Sequence, residues 1–236
     1  MNVMITGATS GIGLSLAHKY AKHGYQVVAC GRNEDKLNEL ATHNAITSLA
    51  FDLTDQQATE RALERASTPD LVIINAGDCE YIDDVKAFDA SLFKRVMNIN
   101  ILSVATLLEL LIPRLESGSR IVFVSSSVTK LALPRAEAYG ASKAAMDYLA
   151  NSLRIDLHRH NIDVTLVHPG FIKTPLTDKN DFDMPFLLSS DEAAERIFKG
   201  VNQGKAYLEF PKRLTWLLSL LSFIPTKLWT KIACRS

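Results

Sequence analysis

The sequence predicts a doubly wound parallel α/β sheet in three layers, α/β/α, and two observations carry that expectation. Short apolar runs alternate with helix-period stretches along most of the chain, as strands joined by crossover helices do. One run, Leu71-Val72-Ile73-Ile74, is apolar at every position, which suits a strand covered by helices on both faces. The 236 residues suffice for one large domain with a substantial core, and no Pro/Gly/Ser-rich linker divides them. A single domain is therefore expected over residues 1–210, followed by an apolar, basic extension over residues 211–236 that is not a separate domain.

Composition narrows the partners. Lys plus Arg and Asp plus Glu number 26 each, so no net charge draws the chain toward nucleic acid, which is not an expected partner. Cys30, Cys79 and Cys234 are far apart and form no CxxC pair, which predicts reduced thiols and a cytoplasmic protein. The first two are expected to be small buried residues. The first apolar run begins at Asn2 and leads straight into a glycine loop, so this start is expected to be structure rather than a targeting segment.

Val3-Met4-Ile5 reads as the first strand. Thr6-Gly7-Ala8-Thr9-Ser10-Gly11-Ile12-Gly13 then opens a helix with apolar residues at Leu14, Leu16, Ala17, Tyr20 and Ala21. Glycines between a strand and a helix let backbone approach a pyrophosphate, and the helix N-terminus offers it free N–H groups; the alternative is a plain tight turn. Tyr25 to Cys30 is the second strand, ending in Gly31-Arg32-Asn33 before a helix through Leu37 and Leu40. A carboxylate at this strand end suits a ribose 2'-hydroxyl and an arginine a 2'-phosphate, so Arg32 favours NADP(H), with NAD(H) possible through Glu34 or Asp35.

Ile46 to Phe51 is the third strand. Asp52 after it is read as an adenine contact or, like Asp55, as a helix N-cap before Ala58, Leu63 and Ala66. Leu71 to Ile74, the fourth strand, ends in Asn75-Ala76-Gly77. A long helix is expected from Asp89 to Leu115, interrupted by polar Asn98 and Asn100, whose side chains want partners. Ile121 to Val124 is the fifth strand, with Ser125-Ser126-Ser127 at its carboxyl end, where open α/β sheets place ligands. A helix follows to about Arg159, then a sixth strand from Ile162 to Val167 and the turn His168-Pro169-Gly170-Phe171-Ile172-Lys173-Thr174.

The helix after Ser126 carries Tyr139-Gly140-Ala141-Ser142-Lys143, with a phenol and an ammonium on one helical face. To exchange protons near neutrality, a tyrosine needs its pKa lowered by roughly 3 units, about 4 kcal/mol. An ammonium roughly 5 Å away at an effective dielectric near 20 contributes about 3 kcal/mol toward phenolate. Lys143 is therefore expected to pull Tyr139 down, with a second positive charge such as an oxidised nicotinamide ring supplying the rest. The alternative for the pair alone is an ordinary solvated helix face.

TGATSGIG, INAG, a mid-helix Asn, Ser126 ahead of Tyr139, YGASK and HPGFIKT occur in the order and approximate spacing of the short-chain dehydrogenase/reductase family, which residues 2–200 resemble. The resemblance implies a Rossmann-like fold and NAD(P)-dependent interconversion of a carbonyl and an alcohol. It implies catalytic roles for Asn100, Ser126, Tyr139 and Lys143. Tyr139 would exchange the proton, Lys143 would lower its pKa and bind the nicotinamide ribose, Ser126 would hold the substrate oxygen, and Asn100 would support a water and lysine relay. It assigns the cofactor to Gly7, Thr9, Ser10, Gly11, Ile12, Gly13, Arg32, Asp52, Leu53, Asn75, Ala76, Gly77, Pro169, Gly170, Ile172 and Thr174, with Tyr139 and Lys143. Ser103, where the family often has glycine, departs from the pattern. No metal is expected, and His158 and His160 diverge on their helix. The resemblance also implies a homodimer or homotetramer paired through the helices of Asn100 and Tyr139.

A small-molecule carbonyl or alcohol is the expected substrate. Residues 171–190 are expected to form a loop over it, with Phe182, Met184, Pro185, Phe186, Leu187 and Leu188 as an apolar wall for a hydrophobic compound. After a last strand at Ala206 to Phe210, the run Leu214 to Ile224 is too short to cross a bilayer. With Trp216, Trp229, Lys212, Arg213, Lys227, Lys231 and Arg235 around it, this extension is read as a peripheral membrane contact or as a segment packed on the cleft or another subunit.

Overall fold

The computed structural model describes residues 1–234. Six strands alternate with helices as the sequence leads one to expect: β1 (Asn2–Thr6), β2 (Gln26–Gly31), β3 (Ile46–Ala50), β4 (Leu71–Ile74), β5 (Arg120–Val124) and β6 (Asp163–Pro169). The two-residue strands β7 (Ile172–Lys173) and β8 (Leu188–Ser189) pair with each other in parallel, and β9 (Tyr207–Phe210) joins the main sheet beside β6. The seven-stranded sheet runs β3-β2-β1-β4-β5-β6-β9, parallel throughout. From β1 the chain goes to β2 on one side, and only later fills β4 on the other. This reversal opens a crevice at the carboxyl ends of the strands, where such sheets bind ligands.

The period-2 alternation of the central strands builds two cores. Val3 and Ile5 of β1, Leu71 and Ile73 of β4, and Val122 and Val124 of β5 point to one face, which α1 (Gly11–Lys22) covers through Leu16, Ala17 and Tyr20. Met4, Val72, Ile74, Ile121 and Phe123 point to the other. The helices there are α3 (Gln56–Glu64), α5 (Ser103–Leu111) and α6 (Glu137–His158), the last two through Val104, Leu107, Met146 and Ala150. The short α2 (Glu34–Leu40) begins where the Asn33 side chain accepts from Lys36 N–H at 2.9 Å, and Asp55 caps α3 in the same way through Ala58.

Two elements differ from expectation. The long helix after Asp89 is continuous but not uniform: α4 (Ala90–Met97) passes into a π turn at Asn98–Leu102 before α5. The 25-residue helical run Ala90–Arg114 has the length and apolar character of a membrane span, yet Val104, Leu107, Leu108 and Leu111 are buried in the core. Beyond β8 an unexpected helix, α7 (Ser190–Asn202), packs on α1 and buries Ala193, Ala194, Ile197, Phe198 and Val201 at helical spacing. Its start has a signal in the sequence: the Ser189 and Glu192 side chains each bond the other's backbone N–H in a capping box.

The extension forms α8 (Lys212–Leu221) and α9 (Thr226–Ala233). Leu214 and Thr215 are buried, and Trp229 Nε1 donates to the Ala132 carbonyl at 2.9 Å. One side of this pair thus rests on the domain and the other is open. Arg235, one of the expected basic residues, lies outside the described residues.

Candidate active site

At the carboxyl ends of the central strands lies a cleft of about 930 Å³. The turn after β1 forms one wall, lined by Gly7, Thr9, Ser10, Gly11 and Ile12. Gly7 has φ +66°, a left-handed conformation that only glycine adopts freely, and a Cβ there would stand 2.9 Å from Ala76 Cα. Gly13 does not line the cleft. A Cβ on it would lie 2.2 Å from the Gly7 carbonyl oxygen, so it lets α1 approach the turn rather than touching a ligand. Asn75 follows the same logic: its amide donates to the carbonyls of Thr6 and Gly7 at 3.1 and 3.3 Å and ties the end of β4 to the turn.

Arg32, Asp52 and Leu53 close one end of the cleft, past β2 and β3. Arg32 lies 3.6 Å from Asp52 and is largely exposed. The Asp52 carboxylate accepts from Thr54 N–H and Oγ1 at 2.8 and 2.7 Å; it caps its own turn, whereas Asp55 caps α3. Partial burial opposes ionisation of Asp52, but those hydrogen bonds and the Arg32 charge hold its pKa below the ordinary carboxylate value.

At the other end stand Ser126, Tyr139 and Lys143, beside Pro169, Gly170, Ile172 and Thr174. Ser126 ends the turn after β5, its Oγ accepting from Val128 N–H at 3.2 Å. Tyr139 and Lys143 lie one turn apart on α6. The Lys143 ammonium is buried, donates to the Val124 carbonyl at 2.9 Å, and lies 5.8 Å from the centre of the Tyr139 ring. Burial lowers its pKa to about 8, against the pull of the Asp147 carboxylate one turn further on.

The expected depression of Tyr139 is not found here. Burial raises the phenol well above its ordinary pKa, Cys79 adds to that, and the hydrogen bond with Ser126 opposes it. The physical reason is burial: dense protein around the half-buried phenol disfavours phenolate by more than its hydrogen bond with Ser126 offsets.

Asn100 is fully buried below the cleft rather than lining it. The π turn aims its side chain at the loop after β4: Oδ1 accepts from Asp78 N–H at 2.8 Å, while Nδ2 donates to the Asp78 carbonyl at 2.8 Å and to Ser142 Oγ at 2.9 Å. It thus joins the loop after β4 to the helix of Tyr139 and Lys143. Ser103 fits without a glycine's space, its Oγ bonded to the Ile99 carbonyl at 2.8 Å.

The expected apolar wall is displaced. Phe182, Phe186 and Leu187 are exposed and outside the cleft, and that loop lines the cleft instead with Thr174, Pro175, Leu176, Thr177 and Lys179. Phe182 packs edge-on against Tyr81 at 5.7 Å and Phe171 at 6.0 Å.

Two groups had no reading in the sequence. Arg135, at φ +64°, bridges Asp83 and Asp181 at 2.7 and 2.8 Å and clasps the loop after β4 to the loop between β7 and β8. His168 Nε2 lies 2.8 Å from Asp147, one turn beyond Lys143 on α6, and its Nδ1 lies 3.6 Å from Glu209. Their partners lie 21 to 52 residues away, and no local pattern announces them.

A family model described as short chain dehydrogenase matches residues 1–184. The chain belongs to the short-chain dehydrogenase/reductase family. Among relatives of this short-chain dehydrogenase/reductase, an uncharacterized oxidoreductase of Myxococcus xanthus is 33% identical over 243 residues, spanning 98% of this chain and 96% of that one. A short chain dehydrogenase from Burkholderia cenocepacia solved with NADP has a TM-score of 0.86 at 24% identity, covering 98% and 96% of the two chains. A short chain dehydrogenase/reductase from Burkholderia phymatum solved with NAD has a TM-score of 0.83 at 21% identity, covering 93% and 92%. These two likenesses are of fold. As a member of the family, the protein is an NAD(P)-dependent oxidoreductase.

The residues present fit a nicotinamide dinucleotide. The cleft runs unbroken from Arg32 past the glycine turn to Tyr139, and a Cβ at Gly11 would meet Thr174 Cγ2 at 2.8 Å across it. The free N–H groups at the start of α1 face it.

Proposed function

We propose that this short-chain dehydrogenase/reductase interconverts a carbonyl and an alcohol with NADP(H), Tyr139 exchanging the proton, on a hydrophobic small molecule. The observation that carries this reading is the meeting of Ser126, Tyr139 and Lys143 at the end of β5, in the same cleft as the glycine turn. Gly7, Thr9, Ser10, Gly11 and Ile12 would hold the pyrophosphate, with Lys143 and Thr174 at the nicotinamide end. The nicotinamide supplies or takes up hydride when bound.

Tyr139 keeps its proton at neutral pH because burial disfavours phenolate, so it is set to donate to a carbonyl oxygen as the alcohol forms. Ser126 donates to the same oxygen and fixes where it sits. Lys143, cationic below about pH 8, stabilises the phenolate left behind. Asn100 is a positioning residue, holding Asp78 and Ser142 around this group.

The NADP preference rests on Arg32 just after β2, a guanidinium whose N–H fork suits a 2'-phosphate, with no carboxylate ahead of it on that strand. A hydrophobic substrate is supported by Ile172, Pro175 and Leu176, the apolar part of the cleft lining at that end. The protein is proposed to be a cytoplasmic homo-oligomer. Its cysteines are free thiols, and Tyr148 (81% exposed) and Ile155 (76%) stand on the outer face of α6.

Fluorescence titration with NADPH and NADH, followed by a carbonyl panel read by NADPH oxidation, tests this reading. Tighter NADPH binding with turnover is expected. Preference for NADH would remove the role of Arg32, and binding without turnover of any compound would favour a nucleotide-responsive interaction module.

A further inference from the structure

We infer that α8 and α9 form a docking surface for an anionic lipid bilayer. The first observation is a division of charge. Residues 211–236 hold five of the chain's 26 Lys and Arg residues and none of its 26 Asp and Glu residues. A neutral protein therefore carries one strongly cationic segment at its end, and the balancing negative charge lies elsewhere on the chain.

The second observation is which faces are open. On α8, Leu214 and Thr215 turn inward, whereas Trp216 (72% exposed), Leu217 and Leu220 turn outward, and Phe223 (84%) continues their side past the helix end. On α9, Trp229 is held inward by its hydrogen bond to Ala132, which leaves Leu228 and Ile232 outward at helical spacing. Lys227 and Lys231 run beside them, each one position earlier, so an apolar stripe and a basic stripe lie edge to edge. Both helices are fixed to the domain on their inner sides, so the apolar faces stand open although the segment is docked.

An amphipathic pair with Trp, Phe and Leu on one stripe and Lys on the next is what an interfacial helix presents to headgroups and acyl chains. Charge selects the occupant: a cationic segment free of carboxylates is attracted by anionic lipid, each basic residue near such a surface adding to the binding. A second copy of this chain would bring the same cationic segment against itself if the faces met symmetrically. Neither helix is long enough to span the bilayer, so the contact is peripheral.

The test is flotation of the full chain with vesicles of phosphatidylcholine alone and of phosphatidylcholine with about one third phosphatidylserine, at low and high salt. The intact protein is expected to float with the anionic vesicles at low salt and to be released from them by high salt. Lys227→Glu with Lys231→Glu should weaken that binding at least tenfold. Trp216→Ser with Leu220→Ser and Phe223→Ser should abolish it; these side chains are exposed, so the circular dichroism and melting temperature should be preserved. No flotation of the intact chain with either vesicle overturns the inference, as does flotation that both variants retain. A change of oligomeric state in the triple variant, with no vesicle binding by the intact chain, assigns the face to a subunit contact instead and also overturns it.

Discussion

The two ends of the cleft are built by different means. Around the glycine turn, close backbone approaches set the shape: Gly13 against Gly7, Gly7 against Ala76, with Asn75 tying β4 to the turn. Around the proposed substrate position, long side chains reach between loops, with Arg135 clasping Asp83 and Asp181 and Tyr81 bonding Asn180 at 3.1 Å. A ligand shared by many proteins needs a fixed cradle, and backbone offers little to change. A substrate that differs between proteins needs walls that substitution can alter, and side-chain clasps between loops offer that.

The largest effect that would break this contrast is at the chemistry. Tyr139→Phe should lower kcat by about 10²–10⁴-fold and leave NADPH affinity within about threefold, since the phenol is asked for a proton and little binding. Steady-state kinetics beside a fluorescence titration measures both; retained turnover would contradict the proton-transfer role. At the cradle, Gly13→Val places carbon where only 2.2 Å separates the Cβ position from a backbone oxygen. NADPH affinity should fall by about 100-fold and the melting temperature should drop with it, because overpacking against backbone has no cheap relief. An unchanged titration curve would show that the backbone there yields.

Arg32→Ala should weaken NADPH by about tenfold or more, the loss of a charge-assisted hydrogen bond, and leave NADH nearly unchanged. Equal losses for both would remove the 2'-phosphate from the account. At the substrate end, Arg135→Ala should raise KM for an active carbonyl by a few-fold and spare NADPH affinity, since ion pairs this exposed are each worth about 1 kcal/mol or less. If NADPH affinity also fell, the two ends would not be separable.

A pH comparison sharpens the chemistry from another side. Lys143 has a folded pKa of about 8 against an ordinary 10.5, so the unfolded chain binds more protons between those values. Its burial cost is therefore fully present below about pH 8 and relieved as pH rises to 10.5. Denaturant midpoints of the protein should rise relative to those of Lys143→Met across that window. Parallel curves would mean the ammonium is not desolvated.

The same contrast decides what the sequence discloses. The strand-turn-helix at Gly7–Gly13, the buried β4 and the Tyr139–Lys143 spacing are legible because each depends on neighbours within a turn or two. Arg135 and the His168–Asp147 pair depend on partners that only the fold brings near, and they leave no periodic trace. The raised Tyr139 pKa is hidden for a similar cause: spacing places the ammonium, but not the protein that buries the phenol. The start of α7 is written in Ser189 and Glu192, and its buried face in Ala193, Ala194, Ile197, Phe198 and Val201. The apolar residues of the loop between β7 and β8 named a property without an address.

The π turn at Asn98–Leu102 makes one helical run serve two neighbours, α4 packing against α6 and α5 against α3. Each residue of an α-helix turns the chain by about 100°, so removing one residue here would swing every later side chain of α5 by about that angle. Leu107, Leu108 and Leu111 would leave the sheet, and Asn100 would leave Asp78 and Ser142. This stretch tolerates exchange of side chains far better than any change of length, so relatives that keep the site should align through residues 90–111 without a gap.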